Sequence, residues 1–508
     1  MLAKKTVSRI LPVAAAFVFC FTILAGTPLC GNQVRCEGCF SIVAGKEASA
    51  DGYVIMAHNE DDSPPQIVNH HKIPRKKHLP TEKVKLLNGG QLEQVEQTWA
   101  YIWSEMPAML FSDSYINEWG VSITSDNCPS REDKPQITDA GIGYMLRRLV
   151  AERAKTAREG VLLAGKLVER FGYIDSGRTY IICDPDEGWL FCVVNGKHWL
   201  AQRVGDDQVA MVANTYTIRR VDLSDKKNFL ASKDIIKYAV SRGWYNPEED
   251  GPFDFARVYS NPESASSFSN FGRQWSGFRY VAAEPIPLSP ELPFSVVPQR
   301  KVGVARIMQI LRHDYKGTEI QPSSPPAAPS GDGSRWDSLK SPQESGCPIC
   351  SGATQTSFIA QLRRNMPLDI GIVYWACLAS PRTSFYIPFH FGISEFPAGF
   401  CLESQRPSKI VFDEKVGCPF QADPLQAFWM FSNFYNKVYG VSANTISRVK
   451  TLAEEIENDA FTLQKPLEEA ARRLYTEDKI TAMKVLANYS NGIYLSSIET
   501  MHRVLSEK

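Results

Sequence analysis

The chain has no surplus of charge: 56 lysines and arginines balance 56 aspartates and glutamates over 508 residues. That removes any electrostatic reason to expect nucleic acid or an anionic membrane as partner. No basic run is longer than "PRKKH", Pro74 to His78, which reads as a solvated loop. No repeat of solenoid or propeller period recurs along the chain. Beyond the N-terminal apolar stretch, no segment reaches membrane-spanning length without charges. A second CxxC is also missing. "CPIC", Cys347 to Cys350, has metal-ligand spacing but neither a second pair nor paired histidines beside it, which argues against structural zinc. What remains is a globular composition, 44% hydrophobic, sufficient for a large core.

The N-terminus does carry a pattern. Lys4, Lys5 and Arg9 precede "ILPVAAAFVFCFTILAG", the basic and apolar regions of a secretory signal peptide. The apolar run is short of the roughly 20 residues a membrane span needs. Small residues at Ala25 and Gly26 offer a cleavage point. The expectation is a signal peptide over residues 1–26, a short propeptide over 27–38, and a secreted or periplasmic product. A retained membrane anchor is the alternative. Exported proteins meet oxidising conditions. Cys183 and Cys192 flank "DPDEGWLF" in a hairpin pattern, and a two-residue Glu187-Gly188 turn would set them opposite each other. A disulfide and two buried thiols both fit that placement.

Short apolar runs with turn residues between them predict strands at "FSIVAG", "YVIMAH" and "VSITSD", with Asp51-Gly52 as the hairpin turn between the first two. "IGYMLRRLVAERA" and "AREGVLLAGKLVERFG" have helical periodicity, and Gly172 stands where a helix stop belongs. Strands resume through "RTYIICD", "GWLFCVVNG", "HWLAQRV" and "QVAMVAN". A Pro/Ser/Gly-rich loop covers about residues 317–346. Strand patterns return at "TSFIAQLRR", "IGIVYWACLA" and "SFYIPFHFG", and the C-terminal part is helical to Val504. Two stacked sheets with helices outside follow from this order.

The chemistry-bearing stretch is "CEGCFSIVAGKEASADGYVIMAHNEDD", Cys36 to Asp62. A thiol is nucleophilic as thiolate, and its free pKa is near about 8.5. A cysteine at the first position of a mature chain carries its own base, because its α-amino group has a pKa near about 8. Gly38-Cys39 is a suitable cut: Gly38 has no side chain in the way, and Cys39 opens the first strand. Cys36 has no strand behind it. On the residues alone, a structural Cys39 or a disulfide to Cys36 stays open.

"CFSIVAGKEASADGYVIMAHNED" (Cys39 to Asp61) resembles the start of the dipeptidase A/secernin family of N-terminal-nucleophile (Ntn) hydrolases. The likeness continues in order through "NEWGVSITSDNCPSRED", "TAREGV", "VANTYTI", "FGRQW", "TQTSFIAQLR" and "YIPFHFG", to about Leu452. It implies an α+β fold, the four-layer αββα Ntn sandwich, over residues 39–508, with a helical C-terminal region. It implies a self-processed cysteine dipeptidase that needs no cofactor and no metal. Cys39 would be the nucleophile and Asp61 the acid that holds its α-amine. Asn127 and Asn214 would hold the oxyanion, and Arg273 would be an active-site arginine. Where the family usually has arginine before the Glu-Asp pair, this chain has His58, which is only partly charged near neutrality. His58 could therefore weaken thiolate or carboxylate binding, or serve as a proton shuttle. The implied partner is a dipeptide or another small amide, with no nucleic acid, no stable membrane partner, and homo-oligomerisation left open. An amidase for N-acyl amino acids and a non-catalytic binding protein of the same fold are the rival readings.

Overall fold

Two apolar runs make the central strands, β1 (Phe40–Ala44) and β2 (Val54–Asp61). In this computed structural model both are buried along their whole length, including the polar "HNED" end of β2. Their place explains this: they lie inside a seven-stranded sheet. They pair antiparallel, Phe40 opposite Asn59 and Ser41 opposite His58. The other edge of β1 pairs with Val209–Val212, and that of β2 with Thr354–Leu362. Segments hundreds of residues apart thus complete one sheet. The structure describes residues 38–62, 68–86, 89–106, 111–321, 347–400, 425–439 and 442–507. The expected signal peptide (1–26), nearly all of the expected propeptide (27–38) and most of the Pro/Ser/Gly-rich loop lie outside these.

An eight-stranded sheet faces the first. Its long hairpin, Tyr173–Cys183 with Gly188–Gly196, lies beside Ser122–Asn127. The apolar stripes of Met145–Arg153 and Ala157–Phe171 pack on this sheet. Thr156 caps the second of these helices through the Glu159 N–H, and Gly172, at φ 79°, ends it. Helices Phe268–Arg279, Val304–Leu311 and Ala427–Tyr439 pack on the seven-stranded sheet. The layers are therefore αββα. Helices Ala443–Leu474 and Lys479–Ser506 pack against each other, their first turns capped by Ser442 and Asp478. No described helix is long and apolar enough to cross a membrane.

Two local expectations are corrected. Asp51-Gly52 does not form a two-residue hairpin. Residues 45–53 connect β1 to β2, because Ser49 bridges to Val302 and Gly45 and Ala48 bond to the 205–208 turn. Cys183 and Cys192 are not opposite each other. The turn is Asp184–Glu187, held by the Asp184 carboxylate accepting from the Asp186 and Glu187 N–H groups. Cys183 therefore pairs with Gly188, Cys192 with Thr179, and both are buried free thiols.

Candidate active site

Cys39 stands at the head of β1, 7% exposed, with its thiol 3.9 Å from the Asp61 carbonyl oxygen. The peptide around it is clamped. Helix Phe268–Arg279 presents Asn270 and Arg273 one turn apart. Arg273 is buried, and each of its five donors is used. Nη1 donates to the Gly38 carbonyl and, at 2.8 Å, to the Cys39 carbonyl. Nη2 donates to Asn214 Oδ1 (2.9 Å) and Asn270 Oδ1 (3.0 Å), and Nε to the Ser269 carbonyl (2.7 Å). The cradle leaves no room at position 38. A Cβ on Gly38 would lie 2.6 Å and 2.7 Å from the two Arg273 nitrogens and 2.7 Å from Asn214 Oδ1.

Asn214 follows the strand Val209–Val212 in the left-handed region, φ 54°, a conformation asparagine tolerates better than most residues. That turn puts its carboxamide between Arg273 and Asn127, whose backbone carbonyl accepts from Nδ2 at 2.9 Å. Asn127 closes its own strand with an exposed side chain, and its Oδ1 accepts from Ser176 Oγ at 3.2 Å. Cys39, Arg273, Asn214 and Asn127 thus form one connected chain. Asn214 acts in it as a bracket, both ends of its amide already bonded.

Asp61 ends β2. Its Oδ2 accepts from Ser351 Oγ at 2.5 Å, while Oδ1 is buried with no hydrogen-bond partner among the described residues. Burial pushes its pKa up to about 7. Ser351 is set in turn by the Ala353 N–H, which donates to its hydroxyl, and by Thr354.

The inward face of β1 and β2 carries a buried polar network. Ser41 Oγ donates to Asp126 Oδ2 at 2.5 Å, so its oxygen takes the proton of His58 Nδ1 at 2.8 Å. His58 Nε2 then faces Glu60 Oε2 at 3.0 Å and Asp113 Oδ1 at 3.4 Å. Burial opposes the charge on His58, but Glu60, Asp113 and Asp126 outweigh it and raise its pKa. Burial pushes Asp113 up to about 7 and Asp126 up to about 6, while His58 overcomes burial at Glu60 and holds it low. The surrounding carboxyls therefore favour the charged form of the imidazole at the position where the family pattern has arginine. The Cys39 thiol is pushed well above its ordinary value by burial first, then by Glu60, Asp126 and Asp61. Its sulfur, a His58 ring nitrogen and a Glu60 oxygen all lie within 4.8 Å of one another.

Cys39, Asp61, Asn214, Arg273 and His58 are gathered around the Gly38–Cys39 peptide, with Asn127 joined through its backbone. Sequence reading did not single out Ser41, Glu60, Asp113, Asp126, Asn270 or Ser351. Two of these carried a signal: Ser41 follows Cys39, and Glu60 follows His58, at the two-residue period that puts side chains on one strand face. In "CPIC", Cys347 is disulfide-bonded and Cys350 is a buried thiol 3.3 Å from Ser380 Oγ, so the pair is not a zinc half-site.

The family model described as Peptidase family C69 matches residues 38–413. A probable dipeptidase of Salmonella dublin is 26% identical over 71% of this chain and 82% of its own length. A probable dipeptidase B of Streptococcus pyogenes serotype M1 is 27% identical over 70% of this chain and 72% of its own. Among solved structures, a penicillin V acylase from Agrobacterium tumefaciens aligns with TM-score 0.33 and 13% identity, covering 69% of this chain and 86% of that one. A conjugated bile acid hydrolase from Clostridium perfringens aligns with TM-score 0.35 and 12% identity, covering 70% and 92%. The family match spans both central strands, the Arg273 helix and the residues that surround Cys39, and the chain belongs to peptidase family C69, as a cysteine-type peptidase.

Proposed function

We propose that this chain is an exported cysteine dipeptidase whose nucleophile is the thiol of Cys39, made N-terminal by cutting the Gly38–Cys39 bond. One observation carries the reading: Arg273 grips the carbonyl oxygen of Gly38, the residue that would leave. A guanidinium donor on that oxygen stabilises the charge that develops when the carbonyl is attacked. In the cut, the Cys39 sulfur adds to the Gly38 carbonyl carbon. The C–N bond breaks, the amine takes the thiol proton, and a Gly38 thioester remains. Water hydrolyses it, which leaves a glycine carboxylate, a free thiol and a free α-amine.

The same parts then serve substrate. The buried thiol is inert by itself, and the new amine supplies the base it lacks. The carboxylate of Asp61 has one oxygen without a donor, available to hold that amine. The amine takes the thiol proton, and sulfur attacks the dipeptide carbonyl. Asn127 and the Arg273 N–H released from Gly38 stabilise the oxyanion, with Asn214 fixing Arg273. The amine protonates the departing amino acid, and water cleaves the thioester. Relatives named probable dipeptidases at 26–27% identity support the substrate class. The leader pattern of residues 1–26 supports a secreted or periplasmic site of action.

The experiment is a panel of dipeptides and N-acyl amino acids offered to the purified chain, with its N-terminus defined by intact mass. Turnover of dipeptides by a chain that begins at Cys39 supports the reading. Turnover confined to N-acyl amides would make the chain an acylase.

A further inference from the structure

We propose that Cys39, His58 and Glu60 form a buried site for one Zn2+ ion, and that its occupancy switches the nucleophile off. The metal site stands on its own geometry; only the switching rests on Cys39 being the nucleophile.

The three donor atoms lie within 4.8 Å of one another, with His58 Nε2 and Glu60 Oε2 3.0 Å apart. A tetrahedral zinc bound at about 2.0–2.3 Å sets its ligand atoms about 3.3–3.7 Å apart. The His58–Glu60 spacing is a little under that range and the thiol is within 4.8 Å of both, so small side-chain rotations close the site. Thiolate, imidazole and carboxylate together suit zinc, whereas calcium and magnesium take oxygen donors.

Two further observations point to a cation. The first is the support behind His58. The other nitrogen of His58 donates to Ser41, which donates to Asp126. That relay fixes the ring orientation and leaves Nε2 as the inward donor, the support that metal-binding histidines usually have. The second is Asp113, fully buried with neither carboxylate oxygen hydrogen-bonded among the described residues. Its Oδ1 is 3.4 Å from His58 Nε2, close enough to supply a fourth ligand or to neutralise the ion. Glu60, Asp113 and Asp126 thus crowd one dry space with the thiol. The guanidinium of Arg147, which donates to Ser125, also lies near enough to favour the charged forms of Glu60 and Asp113. A divalent cation among these carboxyls would stabilise their buried charged forms and that of the thiolate, which are otherwise costly. On binding, zinc displaces the thiol proton and the proton between His58 and Glu60, both lost to solvent. The sulfur lone pair is then committed to the metal.

The test titrates the reduced, chelator-washed protein with Zn2+ by calorimetry and with Co2+ by absorbance. One equivalent should bind, with a sulfur-to-cobalt charge-transfer band that Cys39→Ser abolishes. Glu60→Gln, His58→Ala and Ser41→Ala, which removes the hydroxyl behind His58, should each weaken Zn2+ at least about tenfold. Zn2+ should also stop dipeptide hydrolysis, and chelator should restore it. Melting curves check that each variant is folded, and Ser41→Ala, the mildest change, keeps the test available if the others are not. A band that persists in Cys39→Ser, or full affinity in both Glu60→Gln and Ser41→Ala, overturns the site. Because binding is read without substrate, a protein that binds zinc but hydrolyses no dipeptide would refute the enzyme reading and leave the metal site standing.

Discussion

Arg273 and Cys39 are joined through the main chain: guanidinium Nη1 donates to the Cys39 carbonyl at 2.8 Å while also holding the carbonyl of Gly38. A side chain 235 residues away in sequence therefore grips the bond whose cleavage would free the nucleophile.

Arg273→Lys keeps the charge and loses the fork. It leaves Asn214 Oδ1 and Asn270 Oδ1 without their donor, at about 1–3 kcal/mol of stability. Chain that still carries Gly38 should accumulate, and the turnover of processed molecules should fall by about 10²–10³, as when an oxyanion donor is removed. Intact mass over time and initial rates measure the two effects separately.

Gly38→Ala separates processing from catalysis. The new methyl would lie 2.6–2.7 Å from Arg273 and Asn214, and overpacking of that kind costs about 1–3 kcal/mol. If the strain falls on the clamped geometry, cutting slows by about tenfold or more. Residue 38 is absent from the product, so each processed molecule should have normal kcat/KM. Specific activity should therefore follow the processed fraction. Normal processing of Gly38→Ala would show that the cradle does not govern the cut.

How much of this was legible beforehand follows from which contacts are local. "YVIMAH" reads as a strand from its own residues, short of the polar "NED" end that the sheet also takes in, and "AREGVLLAGKLVERFG" as a helix with its glycine stop. Cys39, Asp61, Asn127, Asn214, His58 and Arg273 were reachable through the family pattern. The parts that escaped are set by distant pairing. Ser351 reaches Asp61 across 290 residues, and Asp126 meets Ser41 only because two sheets stack. The β1–β2 connection and the 184–187 turn were misjudged because backbone and carboxylate bonds, rather than the glycines alone, set their lengths.

His58→Arg and His58→Ala should part company. If the role of His58 in catalysis is to supply positive charge among Glu60, Asp113 and Asp126, arginine restores it. Dipeptide hydrolysis in His58→Arg should stay within about tenfold of wild type, and His58→Ala should lose more than that. Equal loss in both variants would mean that the imidazole itself is needed. Rates on one dipeptide at fixed pH are sufficient.

The long C-terminal helix is pinned by Glu468, which receives both Nη groups of Arg363 and lies 2.8 Å from His390 Nε2. Although burial opposes it, His390 and Arg363 hold the Glu468 carboxyl down to about 2, from an ordinary value of 4.5. Its stabilisation is complete above 4.5 and is lost as pH falls toward 2, on the order of 3 kcal/mol. Burial lowers the His390 pKa as well, so the unfolded chain takes up that proton more readily below 6.5. Both effects destabilise in the same direction. Tm should fall between pH 6.5 and 3, and Glu468→Gln should flatten that slope. At neutral pH the variant should be less stable by about 1–3 kcal/mol, because the half-buried Arg363 loses its charged partner. Parallel slopes would place the acid sensitivity elsewhere.

The N-terminus of the active molecule tests the central claim most directly. Intact mass and N-terminal sequencing of the purified protein, with dipeptide hydrolysis measured on the same sample, should show a chain that starts at Cys39. The Cys39→Ser chain should have lost that hydrolysis. A fully active preparation that retains Gly38, or a Cys39→Ser chain that hydrolyses dipeptides at the wild-type rate, would contradict the account.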